Sequence, residues 1–289
     1  MAKTVQELLD ILVLEPLEHN LFRGRSPQVG WQRIFGGLVI AQALMAACRT
    51  VDGRLPHSMH AYFLLPGDPT VPIIYNVDRI RDGRSFTTRR VIAIQHGRAI
   101  FSLSASFQTE EQGLEYQIEM PDVPAPEDLP KEIAVEGDAP LAQLLRAHSE
   151  RERPIELKPV EFERYLTPGA RPRLFNVWFR AIAPLPDDPL IHCCALAYAS
   201  DMTLLDTSLI PHGRTLIENA FKGASLDHSI WFHKPFRMND WMLYSQETPF
   251  SGGGRGFARG SVFRRDGALV ASVAQEGLIR LRRAEDHRP

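Results

Sequence analysis

With 289 residues, 44% of them apolar and 24% charged, the chain has room for about two domains of roughly 150 residues or for one large one. Its net charge of -2, from 33 Lys and Arg against 35 Asp and Glu, argues against nucleic-acid binding by bulk charge, and its apolar content argues against disorder. The three cysteines, Cys48, Cys193 and Cys194, are too few for a disulfide framework, so a reducing, cytoplasmic setting is expected.

Thr4 and Glu7 have the spacing of a capping box ahead of Leu8, Leu9 and Leu12, which predicts a short first helix. Glu7, Asp10 and Glu15 deprive this opening of the basic and apolar halves of a secretory signal, so export by that route is not expected. After LFRGRSP, the segment GGLVIAQALMAACRT at Gly36 to Thr50 is apolar on nearly every face, which predicts a helix buried all round. Its apolar part, Gly36 to Cys48, is shorter than the roughly 20 residues of a bilayer span, so no membrane insertion is expected. Four strand-like segments follow, HSMHAYFLL, PIIYNVDRI, SFTTRRVIAIQ and AIFSLSASFQ, separated by the turn signals PGD, RDGR and HGR. One buried helix before an antiparallel meander predicts a sheet wrapped around that helix.

From Thr109 to about Arg153 the pattern fades, and PDVPAPEDLP carries four prolines, which predicts a linker interrupted by a helix at Pro140 to His148. Beyond it, ELKPVEFERY and RLFNVWFRAIA read as strands, and Leu190 to Leu209 as a second apolar helix. The chain then repeats itself. HSMHAYFLLPGD at His57 is similar to HSIWFHKPFRMND at His228, RSFTTRRVIAIQHGRAI to RGFARGSVFRRDGAL, and ASFQ to SVAQ. The offset drifts from 171 at the His-Ser pair to 167 between Gln108 and Gln275, as duplication with small loop changes would produce. The boundaries implied are an N-terminal unit at 1–110, a Pro-rich linker at 111–153 and a C-terminal unit at 154–289, in a tandem α+β architecture. The last four residues, DHRP, match no peroxisomal or retention signal.

Asp201, in LAYASDMTLLD, is the most informative residue, because an unpaired carboxylate on a buried helix costs several kcal/mol unless it is solvated or hydrogen-bonded. It faces a polar seam, caps a helix break or serves a reaction, and Asp206 competes with it from another face. Strand alternation puts Gln275 on one face with Val273 and Gly277, while Gln108 takes the matched position in the first half, so both glutamines could simply satisfy backbone groups. Ser225, in GASLDHSIW at an expected strand start, is either a water-orienting hydroxyl or a turn residue. There is no G-x-S-x-G elbow and no phosphate-binding P-loop, and GGGRGFARG does not fit G-x-G-x-x-G, so it reads as a hairpin loop. His57 with His60, and His228 with His233, lack metal-ligand spacing, so no metal is expected. Adjacent Cys193 and Cys194 read as small core residues.

RIFGGLVIAQAL, HSMHAYFLLPGD, RDGRSFTTRRVIAIQ, AYASDMTLL, SLDHSIWFHKPF, RGFARG and VASVAQEG together resemble, in order, the signature blocks of acyl-CoA thioesterase II, the TesB-type enzymes. The resemblance runs from Leu21 to Arg280 and implies a double hotdog, each half an antiparallel sheet around its long helix. It implies hydrolysis of fatty acyl-CoA to free fatty acid and CoA by a water nucleophile, with neither metal nor cofactor nor a covalent acyl-enzyme. The family's catalytic Asp, Ser or Thr, and Gln fall on Asp201, Ser225 and Gln275. Arg84, Arg255 and Arg259, beside glycine turns, are candidates for the CoA phosphates, with solvated loop charges as the other reading. A hydratase on this fold would need D-x-N-P-x-H, which is absent, whereas a non-catalytic acyl-CoA-binding protein remains a rival. The expected partners are the acyl-CoA substrate and further copies of the chain, as a homodimer or homotetramer.

Overall fold

Helix α1 (Val5–Leu12) starts where the capping box predicts, with Thr4 Oγ1 accepting from the Glu7 amide at 3.1 Å. The Glu7 carboxylate, however, accepts from the Lys3 amide at 2.8 Å, so the box is displaced by one residue. A computed structural model describes residues 1–27, 33–130, 143, 151–161, 174–218 and 220–282 of this chain. After α1 come β1 (Glu15–Glu18), β2 (Leu21–Gly24), α2 (Gly36–Cys48), β3 (Leu55–Phe63), β4 (Ile73–Asp82), β5 (Phe86–Gln95) and β6 (Arg98–Gln108). The second half holds β7 (Ile155–Pro159), β8 (Leu174–Ala181), α3 (Pro189–Ser200), a 3-10 helix (Leu205–His212), β9 (Phe221–Ser225), β10 (Asp227–Phe232), β11 (Met242–Gly252), β12 (Arg255–Arg264) and β13 (Leu269–Leu281). The helix expected at Pro140 to His148 lies outside the described residues apart from Gln143.

The strands form one antiparallel sheet in the order β1-β2-β4-β5-β6-β3-β10-β13-β12-β11-β8-β7, with β9 on β13. That order is a palindrome in the two halves, and the halves join where β3 pairs with β10. Ile230 lies opposite Met59 there, and these two are counterparts at the 171-residue offset, so a local two-fold axis passes through this pair. Both side chains are fully buried. The sheet curls around α2 and α3, which run antiparallel and side by side. Twelve of the 13 residues of α2 are buried, as its lack of a polar face requires. Both helices are rich in small buried residues, among them Ala43, Ala47, Cys194 and Ala197, and they approach closely where Gly37 meets the Tyr198 carbonyl. The β11–β12 hairpin turns through Gly253 and Gly254, both at positive φ (59° and 74°), a two-residue loop that residues with a Cβ adopt only under strain.

The second apolar helix does not run to Leu209. It ends at Ser200, with Asp201 as C-cap, and restarts as the 3-10 helix. Polar side chains at the break are drawn sideways, Asp201 toward α2 and Thr203 to Gln246 Oε1 at 3.0 Å, in place of continuing an apolar helix. The proline-rich segment is more than a tether. Its carbonyls at Pro124 and Pro126 accept from Trp178 Nε1 and Lys158 Nζ, and Met120, Val123 and Leu129 cover Trp178, Trp241 and Phe263 on the second half of the sheet.

Candidate active site

Asp201 projects from the C-terminal end of α3 with its side chain only 5% exposed. Its Oδ1 accepts from Gln275 Nε2 on β13 at 2.6 Å and from Ser225 Oγ on β9 at 3.3 Å, while Gln275 Nε2 also donates to Ser225 Oγ at 2.9 Å. The Gly37 amide, in the first turn of α2, donates to the same carboxylate. Two glycines permit that approach. A Cβ on Gly36 would stand 2.7 Å from Asp201 Oδ2, and one on Gly37 would stand 2.4 Å from the Tyr198 carbonyl. The carboxylate thus sits between the negative end of its own helix and the positive end of α2.

Burial pushes the Asp201 pKa up from 3.8 to about 6, against the opposing pull of hydrogen bonds from Gln275, Gly37 and Ser225. The Gln275 amide must turn Nε2 to the carboxylate, since its oxygen would repel it. Oε1 is then left as a buried acceptor without a partner among the described residues. Ser225 reaches the site through a bulge. The five residues from Ser225 to Ser229 lie opposite the four from Ala274 to Gly277, and the extra residue turns Ser225 to the helix side of the sheet along with His228. Ser225 is therefore the last residue of β9 rather than the start of a strand.

Asp201 and Ser225 form one wall of a cavity of ≈ 840 Å³ that both halves line. Phe35, Val39, Phe63 and Phe101 of the first half and Met202 and Leu216 of the second give it apolar walls, and Arg33 and Arg151 add two exposed guanidinium groups. Asp206 also lines it, but its Oδ1 is engaged by Thr215 Oγ1 at 2.8 Å and the Leu216 amide at 2.6 Å, which hold the loop after the 3-10 helix.

The pairing register corrects the assignment of Gln108. Against β3 and β5, Phe107 occupies the position that Gln275 occupies against β10 and β12, at an offset of 168. Matching glutamine with glutamine slips the alignment by one residue, and in a strand one residue reverses the face. Phe107 therefore points inward, fully buried, while Gln108 points outward. Nearby, Arg89, 1% exposed, donates to Thr50 and Asp82. The first half carries no counterpart of the Asp201–Ser225–Gln275 cluster among the described residues.

Three suspected histidines pair with serines on the sheet. His57 Nε2 lies 2.8 Å from Ser106 Oγ, His60 Nδ1 3.1 Å from Ser229 Oγ, and His233 Nε2 2.9 Å from Ser272 Oγ. His228 is different. It is fully buried, 2.8 Å from Ser200 Oγ through Nε2, with Nδ1 3.9 Å from Asp201 Oδ1, and burial pushes its pKa down to about 3. Cys193 and Cys194 are buried, their thiol pKa values driven up by desolvation, which suits core packing. Arg84, Arg255 and Arg259 do not line the cavity; Arg255 pairs with Glu276 and Arg259 with Glu247. Sequence reasoning missed Gly36, Gly37, Arg33, Arg151 and His228. The Gly-Gly pair at a helix start was the one local signal, since paired glycines mark close backbone approach.

Two long helices lying side by side within one continuous antiparallel sheet are a double hotdog, and the apolar cavity beside a hydrogen-bonded carboxylate suits hydrolysis of an acyl thioester. Comparison with known proteins agrees. A family model described as acyl-CoA thioesterase matches residues 144–278, and one described as acyl-CoA thioesterase N-terminal domain matches residues 22–108. The chain is 41% identical to acyl-CoA thioesterase 2 of Haemophilus influenzae, over 97% of this chain and 99% of that protein. It is 44% identical to acyl-coenzyme A thioesterase 8 of Mus musculus, over 94% of this chain and 88% of that one. The crystal structure of the acyl-CoA thioesterase II TesB2 from Mycobacterium marinum superposes with a TM-score of 0.79 at 42% identity, covering 95% and 98% of the two chains. The chain belongs to the acyl-CoA thioesterase family, and its activity is hydrolysis of acyl-CoA thioesters.

Proposed function

We propose that this chain hydrolyses fatty acyl-CoA by direct attack of water on the thioester carbonyl, with Asp201 as proton acceptor and Ser225 and Gln275 orienting the water. The observation that carries this reading is the convergence of Asp201 Oδ1, Ser225 Oγ and Gln275 Nε2 within 3.3 Å at the wall of an apolar cavity. A thioester is reactive enough for a water held and deprotonated in place, and such proton transfer contributes about 10²–10⁴-fold in rate. The water oxygen bonds to the carbonyl carbon while its proton passes to Asp201. The tetrahedral oxyanion then collapses, the C–S bond breaks, and the departing CoA sulfur takes the proton back. Amides in the first turn of α2, whose positive end faces the site, favour the negative charge that develops. No step requires a cofactor or a metal.

The phenylalanine-rich wall suits an aliphatic acyl chain, and Arg33 and Arg151 suit the phosphates of CoA. The same reading takes 1–110 and 154–289 as the two hotdogs and 111–153 as their linker, with the catalytic groups all in the second. It includes assembly into a homodimer or homotetramer, for which the exposed Tyr62 and Trp231 on the outer sheet face offer contact surface. A cytoplasmic role in lipid metabolism is in keeping with three unpaired, buried cysteines. No helix among the described residues is long and apolar enough to cross a membrane.

The test is steady-state release of CoA, followed with a thiol-reactive dye, over a ladder of acyl chain lengths for wild type and Asp201→Asn. CoA release by the wild type and its loss in the folded variant is the expected result. Wild-type turnover by folded Asp201→Asn overturns the role of Asp201, and acyl-CoA binding without release by the wild type would favour a non-catalytic binder.

A further inference from the structure

His228 has no part in the scheme above, yet its imidazole is fully buried beside the carboxylate that does the chemistry. Its tautomer follows from its neighbours. Ser200 Oγ lies 3.0 Å from the Ala197 carbonyl oxygen, which can only accept, so the single hydroxyl proton of Ser200 is directed there. The Ser200 oxygen is left to accept from His228 at 2.8 Å, which puts the imidazole proton on Nε2. Nδ1 therefore carries a bare lone pair. It has no hydrogen-bond partner among the described residues and faces Asp201 Oδ1 at 3.9 Å.

We propose that His228 is a positioning residue that sets the basicity of Asp201, its unprotonated Nδ1 raising the affinity of the carboxylate for the proton taken from water. This rests on the reading of Asp201 as proton acceptor. With Asp201 ionised, a lone pair and a negative charge confront each other across 3.9 Å where little water reaches to screen them. With Asp201 protonated, that repulsion vanishes, so the lone pair favours the protonated carboxyl, and a base that holds its proton more firmly extracts it from water more readily. The proton returns to the leaving sulfur, so His228 itself gains and loses none.

The other ionisable groups near Asp201 do not supply this effect. Tyr198 on α3 and Tyr244 on β11 are phenols whose pKa values are raised by burial first and by the Asp201 charge second, so both stay neutral. Asp206 is engaged in its loop, Arg33 and Arg151 stand at the exposed part of the cavity, and Asp227 and Glu276 alternate to the outer face of β10 and β13.

The experiment compares His228→Gln and His228→Asn with wild type in the pH dependence of kcat/KM for an acyl-CoA. Gln keeps a donor near Ser200 and removes the bare acceptor, while Asn directs an amide N–H at the carboxylate. The expected result is an acidic limb displaced to lower pH by about one unit in His228→Gln and further in His228→Asn, with kcat reduced about tenfold, the equivalent of one hydrogen bond, and KM little changed. An acidic limb unmoved in both folded variants overturns the proposal. If neither variant folds, nitrogen NMR of wild-type histidines decides it: an unprotonated Nδ1 on His228 at neutral pH supports the proposal, and a protonated Nδ1 overturns it. Asp201→Asn separates the two levels. Turnover retained there removes the acceptor reading itself, whereas turnover lost there with unmoved His228 limbs removes only the inference about His228.

Discussion

Asp201→Asn has a consequence for stability opposite to its consequence for activity. The folded protein raises the Asp201 pKa from 3.8 to about 6, so the contribution of this group is fully present below pH 3.8 and lost as pH rises through about 6. The interval corresponds to ~3 kcal/mol of destabilisation by the ionised carboxylate above that pH. The burial of the side chain, at 5% exposure, leaves little solvent screening to discount. Asn keeps an oxygen for Gln275 and Ser225 but turns its amide nitrogen toward the Gly37 donor, a mismatch that costs about 1 kcal/mol. At pH 8 the variant is therefore expected to be more stable than wild type by ~2 kcal/mol, and at pH 4 to show no advantage. His228 supplies an internal control. Its pKa is lowered from 6.5 to about 3, so its contribution is present above pH 6.5 and lost as pH falls toward 3. Between pH 4 and 6 the two slopes oppose each other at ~1.4 kcal/mol per pH unit in wild type, and replacing Asp201 leaves that of His228 uncompensated. Urea unfolding of both proteins at half-unit steps from pH 4 to 8 measures this directly. Stability curves that run parallel over the whole range would refute the reasoning, because a carboxyl titrating normally in the fold produces no divergence.

Other outcomes follow from the same geometry. Asp201 must be ionised to accept a proton, so kcat/KM of wild type should rise with pH to a plateau along a limb centred near 6; a limb near 4 would mean the carboxyl is not desolvated during turnover. Gly36→Ala places a methyl group 2.7 Å from Asp201 Oδ2, and a loss of kcat/KM of at least about tenfold with unchanged circular dichroism is expected. Ser225→Thr, which keeps the hydroxyl, should retain turnover within a few-fold, while Ser225→Ala should fall well below it in the same CoA-release assay. Replacing Arg33 and Arg151 together by Gln should raise KM for acyl-CoA but not for acyl-pantetheine, which lacks the CoA phosphates, and equal effects on both substrates would remove these arginines from phosphate binding. Phe107→Gln buries an amide without partners, so a lower melting temperature by denaturation and no second activity are expected.

Much of the architecture was legible in the residues themselves. A helix with no polar face must be buried, so α2 was visible from Gly36 to Cys48, and strand alternation with the PGD, RDGR and HGR turns outlined β3 to β6 to within about two residues. Gln275 fell on the inward face with Val273 and Gly277 for the same reason, since side-chain alternation is a local property of extended backbone. Asp201 stood out because a carboxylate in an apolar segment calls for a compensating partner. The identity of that partner was beyond the sequence. Gly37, Ser225 and Gln275 come from three other elements, as distant as 164 residues along the chain, and meet Asp201 through antiparallel helix packing and one bulge in the β9–β10 strand. The same limit explains the misplacement of Gln108: residue types are preserved more loosely than register, and only the pairing of β6 with β3 and β5 reveals that Phe107 faces inward. His228 went unassigned for a related reason, because a buried histidine is defined by which nitrogen each neighbour engages, and both neighbours lie on α3. Local periodicity thus determined the elements and their buried faces, while the tertiary structure alone decided which polar groups share the interior, since hydrogen bonds between distant segments leave no periodic trace in the sequence.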